Sequence, residues 1–262
     1  MVIVDRHRSC RAAVLAANGV FHNLDGEDCA FQTLRAADDR AASLAKSPRA
    51  AREALGTLPP WFDAVEPEQA SERIKAFETD HLLRHQAAPL AISHLVRRLD
   101  ERFDGAPTLL LLDEAWWALA HGALGAAIDD WLRTLRKKNV SVVVATQAIA
   151  DLTTSPFAAT LLEQIPTRVF LPNARALEPS TQAHYRALGL NDRTIQLIGQ
   201  ATPKRDYFVS SPAGSVLIDF SLGPTALALC ARSTPTDQRL LDATPLDQVL
   251  ATLLGETDLE AA

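Results

Sequence analysis

The sequence predicts an α/β fold built on a parallel sheet, and three observations carry that prediction. Short apolar runs, Thr108 to Leu112 and Val140 to Ala145, have the composition of strands buried on both faces. Each is followed by text of helical composition, Asp113 to Asn139 and from Ala148 onward. The resulting strand-helix-strand-helix order is that of a parallel sheet covered by helices.

The elements follow in order. Met1 to Val4 is a short apolar run closing in Asp5, and the Ala-rich segment Ser9 to Ala17 reads as a helix that Asn18-Gly19 stops. From Arg35 to about Arg102 the chain is rich in Ala, Arg, Glu and Leu, with breaks at Pro48, Pro59-Pro60, Pro67 and Pro89. This predicts several short helices, an insertion over residues 36–102. Thr167 to Leu171, closed by Pro172-Asn173, is a third β-rich run, expected in the same parallel sheet. Asp206 to Ser210 and Ser215 to Phe220 flank Pro212-Ala213-Gly214 as a hairpin. Thr236 to Leu254 reads as a closing helix, with residues 236–262 as C-terminal helix and tail.

Composition narrows the function classes. With 262 residues and 47% hydrophobic content the chain is large enough for a sizeable core. A net charge of -6 offers no uniformly basic face, so direct sequence-specific nucleic-acid binding is not expected. The cysteines, Cys10, Cys29 and Cys230, are odd in number and scattered, which fits a reducing compartment, the cytoplasm. The first residues carry Asp5, Arg6, Arg8 and Arg11 where a signal core would be apolar, and no stretch reaches the length of a membrane span. His81 and His85 have helical spacing, but Leu82 stands where a zinc peptidase needs Glu. The motifs of cysteine-ligated zinc, of the serine-hydrolase elbow and of the dinucleotide fold are missing from the sequence.

The sharpest signal is Leu109 to Leu112 ending abruptly in Asp113-Glu114. In nucleotide hydrolases such a strand end places one carboxylate on the magnesium shell and its neighbour on the attacking water. The alternative is an acidic cap for the following helix, stabilised by its dipole. Thr146-Gln147 ends the next strand, where α/β sheets place ligands, and Gln147 is read either as a γ-phosphate sensor or as an ordinary loop residue. Arg136-Lys137-Lys138 is read either as a functional basic motif or as a solvated helix end.

Taken together, Asp113-Glu114-Ala115-Trp116, Leu132 to Asn139, Ala145-Thr146-Gln147, Pro166 to Asn173, Tyr185 with Gly189-Leu190-Asn191, and Pro203-Lys204-Arg205-Asp206-Tyr207 occur in the order seen in one family. The chain resembles the TrbE/VirB4 ATPases of conjugal transfer and type IV secretion. The likeness extends to Phe77-Glu78-Thr79, Val4-Asp5-Arg6 and Arg8-Ser9, nearly the whole chain. It implies a RecA-like P-loop NTPase fold that assembles as a homo-hexamer with other type IV secretion components, peripheral to the bacterial inner membrane, and uses ATP and Mg2+.

The same resemblance implies roles. Asp113 would hold Mg2+ through water, Glu114 would activate the hydrolytic water, and Gln147 would read the γ-phosphate. Arg136, Lys137, Lys138 and Arg205 lie in the basic motifs from which a finger toward a neighbouring subunit is drawn, and Asp5 matches an acidic position near the nucleotide.

One element is missing from the sequence: the Gly-rich loop ending in Gly-Lys-Ser/Thr whose amides wrap the phosphates. The Lys46-Ser47 pair follows Ala45, with Arg40 at the position of the first glycine. The family places that loop upstream of the strand matching Val2 to Asp5, and its strand between those matching Val140 to Ala145 and Thr167 to Leu171. The expectation is therefore an incomplete ATPase domain, inactive alone, with two unpaired strand edges and a dependence on a partner. The rival expectations are a non-catalytic interaction module and a DNA-translocating relative of the same fold.

Overall fold

The computed structural model describes residues 1–23, 73–80, 88–115, 122–244 and 248–249. The chain divides into two compact units: Met1–Asp113 with Lys137–Val143 and Ala228–Ala262, and Glu114–Arg136 with Val144–Leu227.

The first unit is built on a five-stranded sheet of β1 (Val2–Asp5), β2 (Val20–Asn23), β3 (Lys75–Glu78), β4 (Thr108–Leu112) and β5 (Val140–Val144), in the order β2-β3-β1-β4-β5. β1 pairs in parallel with β3 and β4, and β2 in parallel with β3. β1 is central and all four of its residues are buried, which is why its apolar run is unbroken up to Asp5. Helix α1 (Arg11–Ala16) sets Val14 against Ile3 of β1 and Ala76 of β3. It ends through Asn18 at φ 57°, with the Gly19 amide donating to Val14. Gly19 is required there: a Cβ would lie 2.8 Å from Ile74 Cβ.

β3 corrects the expected helical insertion over 36–102. The segment Lys75-Ala76-Phe77-Glu78 is a strand second from the sheet's edge, although two of its four residues are charged. Lys75 and Glu78 are 1% and 2% exposed, so residues that read as surface helix text are interior. Helix α2 (Ala88–Arg102) agrees with the helical reading, and the rest of the insertion up to residue 72 lies outside the described residues. His81, His85, Trp116 and Trp117 lie outside them too, whereas Trp131 on α3 (Gly122–Thr134) is buried as core.

The second unit carries α3, α4 (Ile149–Thr154), α5 (Ala158–Gln164), β6 (Arg168–Phe170), α6 (Pro179–Ala187), α7 (Asp192–Gln200), β7 (Asp206–Ser211) and β8 (Gly214–Asp219). Here the sequence reading is corrected again. β6 does not join the parallel sheet but pairs antiparallel with β7 in a three-stranded sheet of order β6-β7-β8. A strand of three residues carries no signal for pairing direction, and its nearest available partner is the hairpin. The hairpin is as expected, with Ser211 opposite Gly214 across Pro212-Ala213 and Gly214 at φ 134°. One face of this sheet packs Phe170 and Phe208 on Tyr185, Leu188, Ile195 and Ile198 of α6 and α7 and the turn between them. Asn191 caps α7 by accepting from the Thr194 amide at 2.9 Å.

β5 and β6 are thus edge strands of two separate sheets, with Val143 and Val169 exposed, in line with the expected open edges. Helix α8 (Pro224–Cys230) leads to α9 (Pro235–Ala243). α9 starts in a capping box between Thr234 and Asp237 and stops at Ala243, short of the expected Leu254, because Thr244 precedes Pro245 and is held extended.

Candidate active site at the strand carboxyl ends

The parallel register brings acids together. Asp5 lies opposite Glu78, Val4 lies opposite Leu112, and Asp113 follows on β4, its amide donating to the Val4 carbonyl at 2.9 Å. Three neighbouring strands therefore end in a carboxylate on the edge where α/β proteins bind ligands.

Asp5 is fully buried, and both of its oxygens are engaged. Oδ1 accepts from the Arg6 amide at 2.8 Å and the Ser9 hydroxyl at 2.5 Å, and Oδ2 accepts from the Cys10 amide and thiol, each at 3.1 Å. The Ser9 Oγ also lies 3.1 Å from Asp113 Oδ2. One hydroxyl proton cannot serve both carboxylates, and the shorter contact to Asp5 takes it. Glu78 accepts from the Arg8 amide at 2.5 Å and the Asp80 amide at 2.7 Å. Burial nonetheless pushes its carboxyl above the ordinary range, with the amide bonds pulling the other way. The loop between β1 and α1 needs this support, because His7 and Arg8 sit consecutively in the left-handed region at φ 69° and 57°. Arg6 completes it with an ion pair to Asp80 at 2.9 Å. Burial and the facing Asp5 carboxylate push the Cys10 thiol far up, which makes it an inert donor.

Glu114 and Gln147 come together within the second unit. The Gln147 amide donates to Glu114 Oε1, and the two backbones are tied nearby by Ala115 N–H donating to the Ala145 carbonyl at 2.9 Å. Glu114 is buried and its backbone is left-handed, φ 50°, uncommon for a residue with a Cβ. Gln147 is exposed. Beside it Thr146 Oγ1 donates to Asp151 Oδ2 at 3.2 Å, fixing the start of α4.

The basic residues do not converge with these groups. Arg136 and Lys137 are exposed on the 3-10 turn Leu135–Lys138, and Lys138 lies 4.0 Å from Asp100. Arg205 is held by Asp219 at 2.7 Å in an exposed pair. Sequence reasoning singled out Asp5 and Asp113 but assigned no role to Glu78, Ser9 or Asp80. Their signal, the likeness at Phe77-Glu78-Thr79 and Arg8-Ser9, was present but had no strand to sit on.

Among the described residues no group of three or more His, Cys, Asp or Glu side chains is placed to hold a metal by itself. A magnesium ion asks less of the protein, one or two carboxylates and the phosphates of its nucleotide, and Asp113 fits that demand. The phosphate cradle has no counterpart in the sequence.

No family model matches the chain. Curated relatives do. The conjugal transfer protein TrbE of Rhizobium radiobacter is 40% identical over 190 residues, 72% of this chain and 23% of that protein. A probable conjugal transfer protein TrbE of Sinorhizobium fredii is 41% identical over 165 residues, 62% of this chain and 25% of that protein. The chain belongs to the TrbE/VirB4 family. It spans about a quarter of the length of these TrbE relatives. The structure of VirB4 of Thermoanaerobacter pseudethanolicus superposes with a TM-score of 0.62, covering 85% of this chain and 82% of that one. At 13% identity this match establishes a shared fold. No helix among the described residues of this TrbE/VirB4 chain is long and apolar enough to cross a membrane.

Proposed function

We propose that residues 1–262 form the catalytic-acid half of a TrbE/VirB4 secretion ATPase, competent to hydrolyse ATP when a phosphate-binding loop is supplied by polypeptide outside this sequence. The contact between Gln147 and buried Glu114 carries the proposal, since it joins the two residues that the chemistry needs together. Bound magnesium ATP supplies the γ-phosphoryl group and the cation that neutralises it. Asp113, at the end of a central parallel strand, holds the cation's water shell. Glu114 takes the proton of the attacking water, and its left-handed backbone fixes where that carboxylate points. Gln147, bound to Glu114, links the γ-phosphate to the base.

Arg136, Lys137 and Lys138 make no ion pair closer than the 4.0 Å approach of Lys138 to Asp100 among the described residues. They serve as candidates for contact with a neighbouring subunit of a homo-hexamer, ahead of Arg205, which Asp219 already holds. Asp5 acts as the anchor of the β1 to α1 loop and reaches the nucleotide only through Ser9 and Asp113. In the cell the assembly would work at the inner membrane with other type IV secretion components.

The test is calorimetry of magnesium ATP with the 262-residue chain and with a chimera carrying the upstream phosphate-loop region of the TrbE relative from Rhizobium radiobacter. Binding by the chimera alone is the expected result. Tight binding by the short chain would overturn the proposal, because another phosphate cradle would have to exist. A second reading, a non-catalytic docking module, is favoured by the open edges of β5 and β6; it predicts a chimera that folds and binds no nucleotide.

A further inference from the structure

The three-stranded sheet has a second face, and it is apolar. Across the register Val169 lies opposite Val209 and Val209 opposite Val216, one row of aliphatic side chains over all three strands. The next row along is Tyr207 with Ile218, and the same register carried one residue past β6 sets Leu171 beside Tyr207. Phe220 extends the row, edge-on to the Tyr207 ring at 5.8 Å. Phe170 and Phe208 alternate with these residues and point into the core, so this surface is the opposite face of the sheet. Its members are exposed: Val169 53%, Leu171 60%, Val216 52%, Ile218 37% and Phe220 60%.

We infer that this face is the contact surface between two copies of the chain, packed sheet on sheet about a two-fold axis. Area decides the occupant. The five exposed side chains present on the order of 450 Å² of mostly apolar surface, the size of patch that marks an interaction site. Two such faces in contact remove about 900 Å² from water before the half-buried Tyr207 and Val209 and the rim are added, which reaches the roughly 1,000 Å² a specific interface needs. A two-fold arrangement sets the patch on itself, so no second complementary surface is required. The rim is electrostatically neutral at the Phe220 end, where Arg205 and Asp219 pair with each other at 2.7 Å, so like charges do not oppose the approach. The inference does not depend on nucleotide binding.

Sedimentation equilibrium of the 262-residue chain, from about 1 to 100 μM, tests it. The expected result is a monomer-dimer equilibrium in which Val216→Lys and Ile218→Lys each raise the dissociation constant at least tenfold with an unchanged circular dichroism spectrum. Leu177→Lys, at an exposed leucine on the loop before α6, is expected to leave the equilibrium as it is. A wild-type chain that stays monomeric at 100 μM overturns the inference, as does assembly that neither β8 variant weakens or that Leu177→Lys weakens equally. If a β8 variant unfolds, Val169→Lys on the opposite edge strand replaces it, with the same expected tenfold loss and the same refuting outcome.

Discussion

Replacing Asp5 with alanine separates a structural anchor from a nucleotide ligand. In the folded chain this carboxylate accepts from the Arg6 amide, the Ser9 hydroxyl and the Cys10 amide and thiol, with no exposure to water. A hydrogen bond to a charged group contributes about 1.5–3 kcal/mol, and a buried donor left without an acceptor costs about 1–3 kcal/mol. The four bonds share one acceptor and are not additive, and the thiol is a weak donor, so a total of about 3–5 kcal/mol is expected. Against the roughly 5–15 kcal/mol that stabilises a typical domain, this removes a large fraction. Asp5→Asn keeps one carbonyl oxygen and can serve one pair of donors, so about half the loss is expected. Urea unfolding followed by far-ultraviolet circular dichroism reads both. A loss below about 1 kcal/mol for Asp5→Ala would refute the anchoring role and return Asp5 to the nucleotide.

Three further outcomes are expected. The Glu78 carboxyl is pushed above its ordinary 4.5 by burial, so the folded state favours its protonated form; the stability it contributes is complete below that value and is lost as pH rises through the folded pKa. Melting temperatures measured from pH 4 to 8 should therefore fall with rising pH more steeply in the wild type than in Glu78→Gln; equal slopes would sink the assignment. In the loop-bearing chimera, Glu114→Gln should lower ATP turnover by a factor of about 10²–10⁴ with nucleotide affinity retained, and persistent turnover would remove Glu114 from the role of base. Thr234→Ala deletes the capping box of α9, whose hydroxyl accepts from the Asp237 amide at 3.2 Å, and should cost about 1 kcal/mol in urea unfolding; an unchanged midpoint would refute the cap.

The sequence by itself determined the elements whose physics is local. Leu109 to Leu112 had to be a buried strand because an unbroken run of leucines this short, bounded by turn residues, suits a two-sided interior, and its end at Asp113-Glu114 fixed the acid pair. The hairpin was legible from Pro212-Ala213-Gly214 because turn chemistry is set by a few residues. Family likeness supplied Gln147, and the fold then set it against Glu114.

What the tertiary structure alone decided was non-local. β3 was invisible because Lys75 and Glu78 are interior only once β1 and β2 flank them, and no window of sequence reports that burial. The direction of β6 depends on which strand is within reach, a property of the assembled unit. The use of Asp5 as an anchor, and no longer as a free ligand, follows from the loop that turns back over it through two left-handed residues, His7 and Arg8. A carboxylate's role is set by which donors surround it in space, and those donors are settled only when the strands have chosen their neighbours.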